Sequence, residues 1–203
     1  NQKVGGVSGP TLIEKKRRSS RDVFRFLDDE GGGRGWLGRL YVNWFLEGES
    51  LQVGKIYKSG AWSPGSNFAS SLKVGRVKVD YLEACNMSLK RELVKKVGGF
   101  DLRYRGVGDW CEPDLARRVA EKGYDLVFDS QVAVEHRVGG GEVLERRVRA
   151  RERMRNFVWF YRRHVFKWRV DYLIKWVSHL LFLSGYWAYK AVKTGKGAWI
   201  GGW

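Results

Sequence analysis

Cysteine is scarce in this 203-residue chain, which excludes the small disulfide-stapled classes of protein. The two cysteines, Cys85 and Cys111, cannot form a disulfide framework and do not have the spacing of a metal-binding motif. A reducing compartment is the better expectation. The chain also shows no signal-peptide pattern, because it opens with polar residues before a short strand-like run, and it has no evident internal repeat.

Acidic residues are outnumbered by basic ones, 22 to 38, which gives a formal net charge of +16. This balance predicts an acidic partner, such as nucleic acid, anionic lipid or a phosphorylated ligand. The last 59 residues carry a net charge of +11 and six of the ten Trp residues. We therefore expect two parts, a mildly basic globular portion at residues 1–144 and a basic, Trp-rich helical tail at residues 145–203. A hydrophobic content of 43% excludes a disordered chain.

Strand-like and helix-like segments alternate along the globular part, which predicts an α/β layered fold. Strands are expected at the amino terminus (KVGGVSGPTLIE) and in VKVDYLEA, YDLVFD and QVAVEH. Ser88 is expected to cap a helix with Leu89, Leu93 and Val97 on its apolar face, ended by Gly98 and Gly99. The segment LGRLYVNWFL reads either as a short helix or as a buried strand.

The segment GDWCEPDLARRV, residues 108–119, places two carboxylates at the start of an expected helix. Pro113 suits the first helical position, where its missing N–H costs nothing, so Glu112 would lie at the helix mouth and Asp114 in the first turn. Acids in these positions complement the helix dipole, which stabilises a helix by about 0.3–1 kcal/mol each. Catalysis is the alternative interpretation of the same two residues.

The order of motifs around this segment resembles the carboxyl-terminal half of a family 2 glycosyltransferase of the GT-A fold. The motifs that carry the resemblance are NMS, GGFD, the CEPDL element in place of the family's EDxDL, GY before a strand, and a His that closes the next strand. The match is close over residues 79–137 and looser over the rest of the chain. The fold it implies is a partial GT-A layered fold with a basic amphipathic helical tail.

The resemblance assigns roles to individual residues. Glu112 falls on the acid that the family uses as catalytic base, with Asp114 as a second catalytic acid, whereas Cys111 stands where the family usually has another acid. His136 would bind a metal or the diphosphate, or it is simply a strand-end His with structural contacts. Substrate contacts are expected from four further residues: Asn86, Asp109, Trp110 and Arg137. Asn86 could equally be a turn former and Arg137 a solvated cation.

The implied reaction is inverting transfer of a sugar from a nucleotide-sugar donor to a lipid-linked or cell-surface glycan, helped by a divalent cation, Mg or Mn. Complete family members have an amino-terminal nucleotide-binding half that ends in an acidic metal motif. This chain has no such motif in the expected place, so we expect it to be a fragment. The acids Asp28, Asp29 and Glu30 imitate the motif, but their position after the first strand predicts a solvated loop.

The tail has the composition of a membrane-surface segment. From Arg146 to Trp168 the apolar residues recur every three or four positions among many Arg residues: Met154, Phe157, Tyr161, Val165 and Trp168. Further along, the longest stretch without Lys, Arg or acid is the 14 residues from Trp176 to Tyr189, shorter than the roughly 20 that a spanning helix needs. We expect the tail to lie on an anionic membrane surface at its cytoplasmic face, peripherally or with one membrane helix, or else to pack on the domain.

Two other functions fit parts of this sequence. A non-catalytic membrane-associated remnant or partner subunit would explain the missing donor half. A basic nucleic-acid-binding protein is permitted by the charge and the aromatic content, but no recognised nucleic-acid motif is visible, and we expect no nucleic-acid partner.

Overall fold

The computed structural model describes residues 3–13, 26–28, 30–106, 108–137 and 150–194. Within these ranges the strands are β1 (Val4–Ser8), β2 (Thr11–Ile13), β3 (Arg76–Lys78), β4 (Met87–Leu89), β5 (Asp125–Asp129) and β6 (Val134–His136). The α-helices are α1 (Gly35–Leu40), α2 (Arg91–Lys96), α3 (Cys111–Ala120), α4 (Ala150–His164) and α5 (Val170–Thr194). A π-helical turn, Tyr41–Phe45, continues α1.

Four strands form a mixed sheet in the order β3-β5-β1-β4. The central strand β1 runs parallel to β5 and antiparallel to β4, and β3 runs antiparallel to β5. The glycine at position 6 is needed for close packing, because a Cβ there would lie 2.5 Å from a side-chain carbon of Leu89 and 2.6 Å from one of Leu82. A second, two-stranded parallel sheet pairs β2 with β6. The mixed α/β architecture confirms the coarse fold class predicted from the sequence.

The strand predictions are confirmed in position and shortened in length. YDLVFD forms β5, and QVAVEH contributes only its last three residues as β6. The strand expected in VKVDYLEA stops at Lys78, because Asp80 turns away and bonds through its backbone N–H to the carbonyl of Gly54. LGRLYVNWFL is helical, as α1 and its π-helical continuation.

Two helix starts were predicted wrongly. Ser88 lies in β4, paired opposite Val7, and α2 begins after Lys90, so pairing with the sheet prevails over the capping tendency of serine. The predicted end is confirmed, since Gly98 and Gly99 both have positive φ. Pro113 is the third residue of α3, because the helix begins at Cys111. Proline is tolerated there, since the backbone N–H groups of the first turn have no intrahelical partner.

The buried core has two clusters. The first is formed by the π-helical turn that continues α1 and by the loops around it: Phe26, Leu27, Tyr41, Val42, Phe45, Leu46, Tyr57, Ala61 and Phe68. Phe182 and Tyr186 of α5 pack against it. The second lies between the four-stranded sheet and helices α2 and α3: Leu82, Leu93, Ala116, Val119 and Leu126. The carboxyl-terminal helix thus covers the first cluster, while the second holds α3 in place.

The tail helices differ in part from the sequence prediction. Phe157 and Tyr161 are buried on α4 as expected, but Trp168 lies beyond the end of the helix with 94% of its surface exposed. In the part of the chain that the structure describes, no helix is long and apolar enough to cross a membrane. The predicted boundary at residue 144/145, and the basic residues of 146–149, lie outside the described ranges.

Candidate functional site

The strand order brings the segments that carry Asn86, Glu112 and His136 to one edge of the four-stranded sheet. The parallel strands β1 and β5 end at this edge, and the antiparallel strand β4 begins there, directly after Asn86. A turn of four residues joins α3 to β5, so α3 runs back along the sheet and its first residues, including Glu112, reach the same edge. His136 ends β6, whose partner β2 follows β1 after only two residues. In open α/β sheets the carboxyl ends of the strands are the usual place for a ligand site.

Asn86 holds two loops together at this edge. Its side-chain amide donates hydrogen bonds to the carbonyl of Pro10, at 3.1 Å, and to the carbonyl of Val132, at 2.7 Å. The side chain of Cys85 lies 4.0 Å from Nε2 of His136. The sequence did not indicate Cys85 as part of this edge, because an isolated cysteine before a turn carries no signal of its own.

Glu112 is half-buried at the second position of α3, where the helix dipole favours a negative charge. The turn before it is tight, with positive φ at Gly108 and Trp110 and a hydrogen bond from the N–H of Cys111 to the carbonyl of Gly108. Burial, assisted by the neighbouring charge of Glu112, raises the pKa of the Cys111 thiol to about 12. The position where the glycosyltransferase family has an acid therefore holds a neutral thiol beside Glu112.

Asp109 and Trp110 are held by α4. Arg153 Nε lies 3.3 Å from a carboxylate oxygen of Asp109. The Trp110 ring packs on Phe157 and Phe160, with ring centroids 5.3 and 5.1 Å apart. A tryptophan with φ near 78° is strained, and these two aromatic contacts stabilise it in that conformation. Both predicted substrate-binding residues thus contribute to fixing the turn that leads to Glu112.

Asp114 lies in a different environment from Glu112. Its carboxylate is completely buried and accepts hydrogen bonds from Arg118 Nε at 2.7 Å, Arg163 at 3.2 Å and His164 Nε2 at 2.8 Å. Burial alone would raise the pKa of Asp114, but the hydrogen bonds from His164 and Arg118 and the charges of Arg118 and Arg163 outweigh it and hold that pKa below its usual value. The structure thus shows Asp114 as the hub of an ion-pair network between α3 and α4.

Two further residues of α4 complete this support, and the sequence did not reveal their role. The buried side chain of Asn156 accepts a hydrogen bond from the N–H of Arg105, at 3.1 Å, and donates one to the carbonyl of the same residue, at 2.9 Å. The His164 ring lies between Asp114 and Glu121, with Nδ1 2.9 Å from the Glu121 carboxylate. The one indication in the sequence is that Asn156 and His164 lie on the same helical face as Phe157 and Phe160.

Arg137 and the predicted metal site have few contacts among the described residues. Arg137 is largely exposed and lies 3.6 Å from the carboxylate of Glu135. Asp28 caps a turn by accepting hydrogen bonds from the N–H groups of Glu30 and Gly32, in agreement with a solvated loop, and Asp29 lies outside the described residues. Among the described residues no group of three or more His, Cys, Asp or Glu side chains could hold a metal ion. The described residues around His136 do not by themselves fit a divalent cation.

We compared the chain with models of protein families, with curated proteins and with solved structures, and none of them matches it.

Proposed function

We propose that the chain is the acceptor-side part of an inverting GT-A glycosyltransferase, with Glu112 as the general base. The observation that carries the proposal is that the segments bearing Asn86, Glu112 and His136 reach the same edge of the sheet. These residues come from three separate motifs, and their order along the chain is that of the glycosyltransferase family. A carboxylate that is half-buried, at a helix start and in a rigid turn, suits a base that must face one hydroxyl group.

In the proposed reaction Glu112 accepts the proton of an acceptor hydroxyl while the hydroxyl oxygen forms a bond to the anomeric carbon of the donor. The bond from that carbon to the diphosphate oxygen breaks on the opposite face, and its electron pair leaves with the nucleoside diphosphate. The configuration at the anomeric carbon is thereby inverted. A divalent cation, Mg or Mn, remains a prediction from the resemblance, and no step is routed through it because the described residues do not provide its ligands.

In this proposal Asp114 positions the first turn of α3 and does not take part in the chemistry. Its contacts with Arg163 and His164 attach the first turn of α3 to α4, so the carboxylate of Glu112 is presented from a fixed backbone. The acceptor we propose is a lipid-linked or cell-surface glycan, and the place of action is the cytoplasmic face of an anionic membrane.

The test is a transfer assay with a panel of radiolabelled nucleotide sugars and a lipid extract as acceptor source. It is run on the 203-residue chain. We expect one donor to label a lipid-extractable glycan, with release of the matching nucleoside diphosphate. A folded protein that neither transfers label nor is stabilised by any nucleotide sugar would instead support a non-catalytic partner subunit.

A further inference from the structure

The helix α5 is packed on the rest of the protein by one face only. Trp176 stacks on Tyr161 with ring centroids 4.7 Å apart, and Nδ1 of the buried His179 bonds the carbonyl of Ser59. Phe182 and Tyr186 lie on the first core cluster. This inner face therefore packs on the protein from Trp176 to Tyr186.

The outer face of α5 is aliphatic and exposed. Residues three or four positions apart lie on it with 41–85% of their surface accessible: Val170, Leu173, Ile174, Val177, Leu181 and Val192. The remaining positions on this arc are Ser184, Gly185 and Ala188, so no charged residue interrupts it over about 33 Å of helix. A surface helix normally exposes polar residues to water, whereas the outer face of α5 exposes aliphatic residues.

The α1 segment extends this apolar surface. Trp36 is 70% exposed, and Leu37, Leu40 and Trp44 are each about two-fifths exposed. Trp44 is fixed against α5, because its indole N–H donates to the hydroxyl of Ser178 at 2.8 Å and the ammonium of Lys175 lies 3.9 Å from its ring centre. We call the outer residues of α5 together with these four side chains the α1–α5 face.

Cations border the α1–α5 face. The ammonium of Lys175 lies over the Trp44 ring, where α5 meets the α1 segment. Near the start of α5, Lys58 and Arg169 are instead ion-paired to Asp171. Arg34 and Arg39 are exposed within and next to α1. An apolar face with tryptophans, rimmed by Lys and Arg, has the chemistry of a helix that lies in the headgroup region of an anionic bilayer. A second copy of this +16 chain would bring a like-charged border against the first.

We propose that the α1–α5 face docks on an anionic lipid bilayer, with α5 parallel to the membrane surface and its inner face still packed on the protein. The sequence pattern had pointed to the Arg-rich segment that includes α4 as the membrane-contacting element. In the structure Arg153 and Arg163 of α4 are ion-paired to Asp109, Asp101 and Asp114. The docking proposal does not depend on transferase activity.

The experiment is flotation of the 203-residue chain with vesicles of phosphatidylcholine alone and with vesicles containing about one third phosphatidylglycerol. We expect binding to the anionic vesicles that weakens as salt is added. The double variant Ile174→Glu/Leu181→Glu should bind at least about tenfold more weakly. The matched control is Phe100→Glu/Leu102→Glu, which removes two exposed apolar side chains away from this face with the same change of charge. It should bind within about twofold of the native chain.

A second measurement locates the contact. In a Cys85→Ser/Cys111→Ser background, an environment-sensitive dye on Leu181→Cys should shift to the blue when anionic vesicles are added, and the same dye on Leu102→Cys should not. Equal binding by the two double variants, or absence of native binding to anionic vesicles, would overturn the proposal. A dye shift at position 181 that depends on protein concentration without vesicles would also overturn it, because a second copy would then cover the face.

Discussion

At the scale of single residues, the two acids of the CEPDL element have separate roles. Glu112 remains half-buried beside a neutral thiol, whereas Asp114 is buried and contacts Arg118, Arg163 and His164. The sequence pattern alone places both as catalytic candidates, since it shows two carboxylates and not what surrounds them. A buried carboxylate needs compensating donors, and Asp114 takes two of its three from α4, 49 and 50 residues further along the chain.

We predict that Asp114→Asn destabilises the protein by about 3–5 kcal/mol, because it leaves buried cations without their carboxylate. Urea unfolding measures this. The pKa of Asp114 is depressed in the folded state, so its contribution is present above the usual carboxyl range and is lost as pH falls through the folded pKa. The variant should therefore show less acid sensitivity than the native chain.

The same variant should loosen the turn before Glu112. In a Cys85→Ser background, we expect slow thiol labelling of Cys111 in the native chain, because the thiol is half-buried with a raised pKa. We expect Asp114→Asn to accelerate it by about tenfold, since a transient opening about 1.4 kcal/mol cheaper is ten times more populated. Arg155→Ala, on the exposed side of α4, is the control and should leave the rate unchanged. Unaltered stability and labelling in Asp114→Asn would show that the network does not hold this turn.

At the scale of elements, α4 supports the turn that precedes Glu112, whereas α5 forms most of the α1–α5 face. Periodicity predicted the apolar stripe of α4, and Phe157 and Tyr161 confirm it. It could not predict that Asn156 would bracket the backbone of Arg105, because that contact joins segments 51 residues apart. Nor did the length of the apolar run in α5 indicate which face would be buried, since polar His179 is on the inside and Val192 on the outside.

We predict that mild acid weakens the packing of α5 on the rest of the protein, because it protonates His179. The ring is buried among Tyr41, Phe45 and Phe157, and burial lowers its pKa from 6.5 to about 4, with a partial offset from the carbonyl of Ser59. The unfolded chain binds this proton at a higher pH than the folded chain, so stability falls as pH drops below about 6.5. The loss attributable to His179 should be about 2 kcal/mol at about pH 5 relative to about pH 7.5.

Urea unfolding at the two pH values measures the effect, with the near-ultraviolet circular dichroism of the aromatic cluster as the signal. His179→Gln should remove most of this pH dependence, although it also lowers stability at neutral pH. His136→Gln at the sheet edge is the matched control and should retain the native dependence. An unchanged slope in His179→Gln would contradict the assignment.

At the scale of the whole molecule, the regular part of the fold was predictable and the irregular part was not. The strands β1 and β5 and the helices α2 and α3 were predicted in position, although not at the exact starts of the two helices, and the α/β architecture follows from them. The first core cluster joins residues between positions 26 and 68 through a π-helical turn, isolated bridges and tight loops, none of which has a periodic pattern. Phe182 and Tyr186 of α5, more than 100 residues further along the chain, pack against it.

The sequence indicated which residues belong to the candidate site, but it did not indicate how they are arranged in space. The motif order indicated Asn86, Glu112 and His136, and the parallel pairing of β1 with β5 is what brings their segments to one edge. The supporting helix α4 had been assigned to the tail, because its charge made it look like a membrane-facing element. Long-range ion pairs such as Arg163 with Asp101 cannot be read from local composition.

The most direct test of the proposed function is the rate of sugar transfer by Glu112→Gln. Glutamine keeps the size of the side chain but cannot accept the acceptor proton, so turnover should fall by about 10²–10⁴-fold while the KM for the donor stays close to native. Glu92→Gln, an exposed acid on α2, controls for the loss of one charge and should transfer at the native rate. Turnover by Glu112→Gln equal to that of the native protein would contradict the account, because the carboxylate at the start of α3 would then take no part in the reaction.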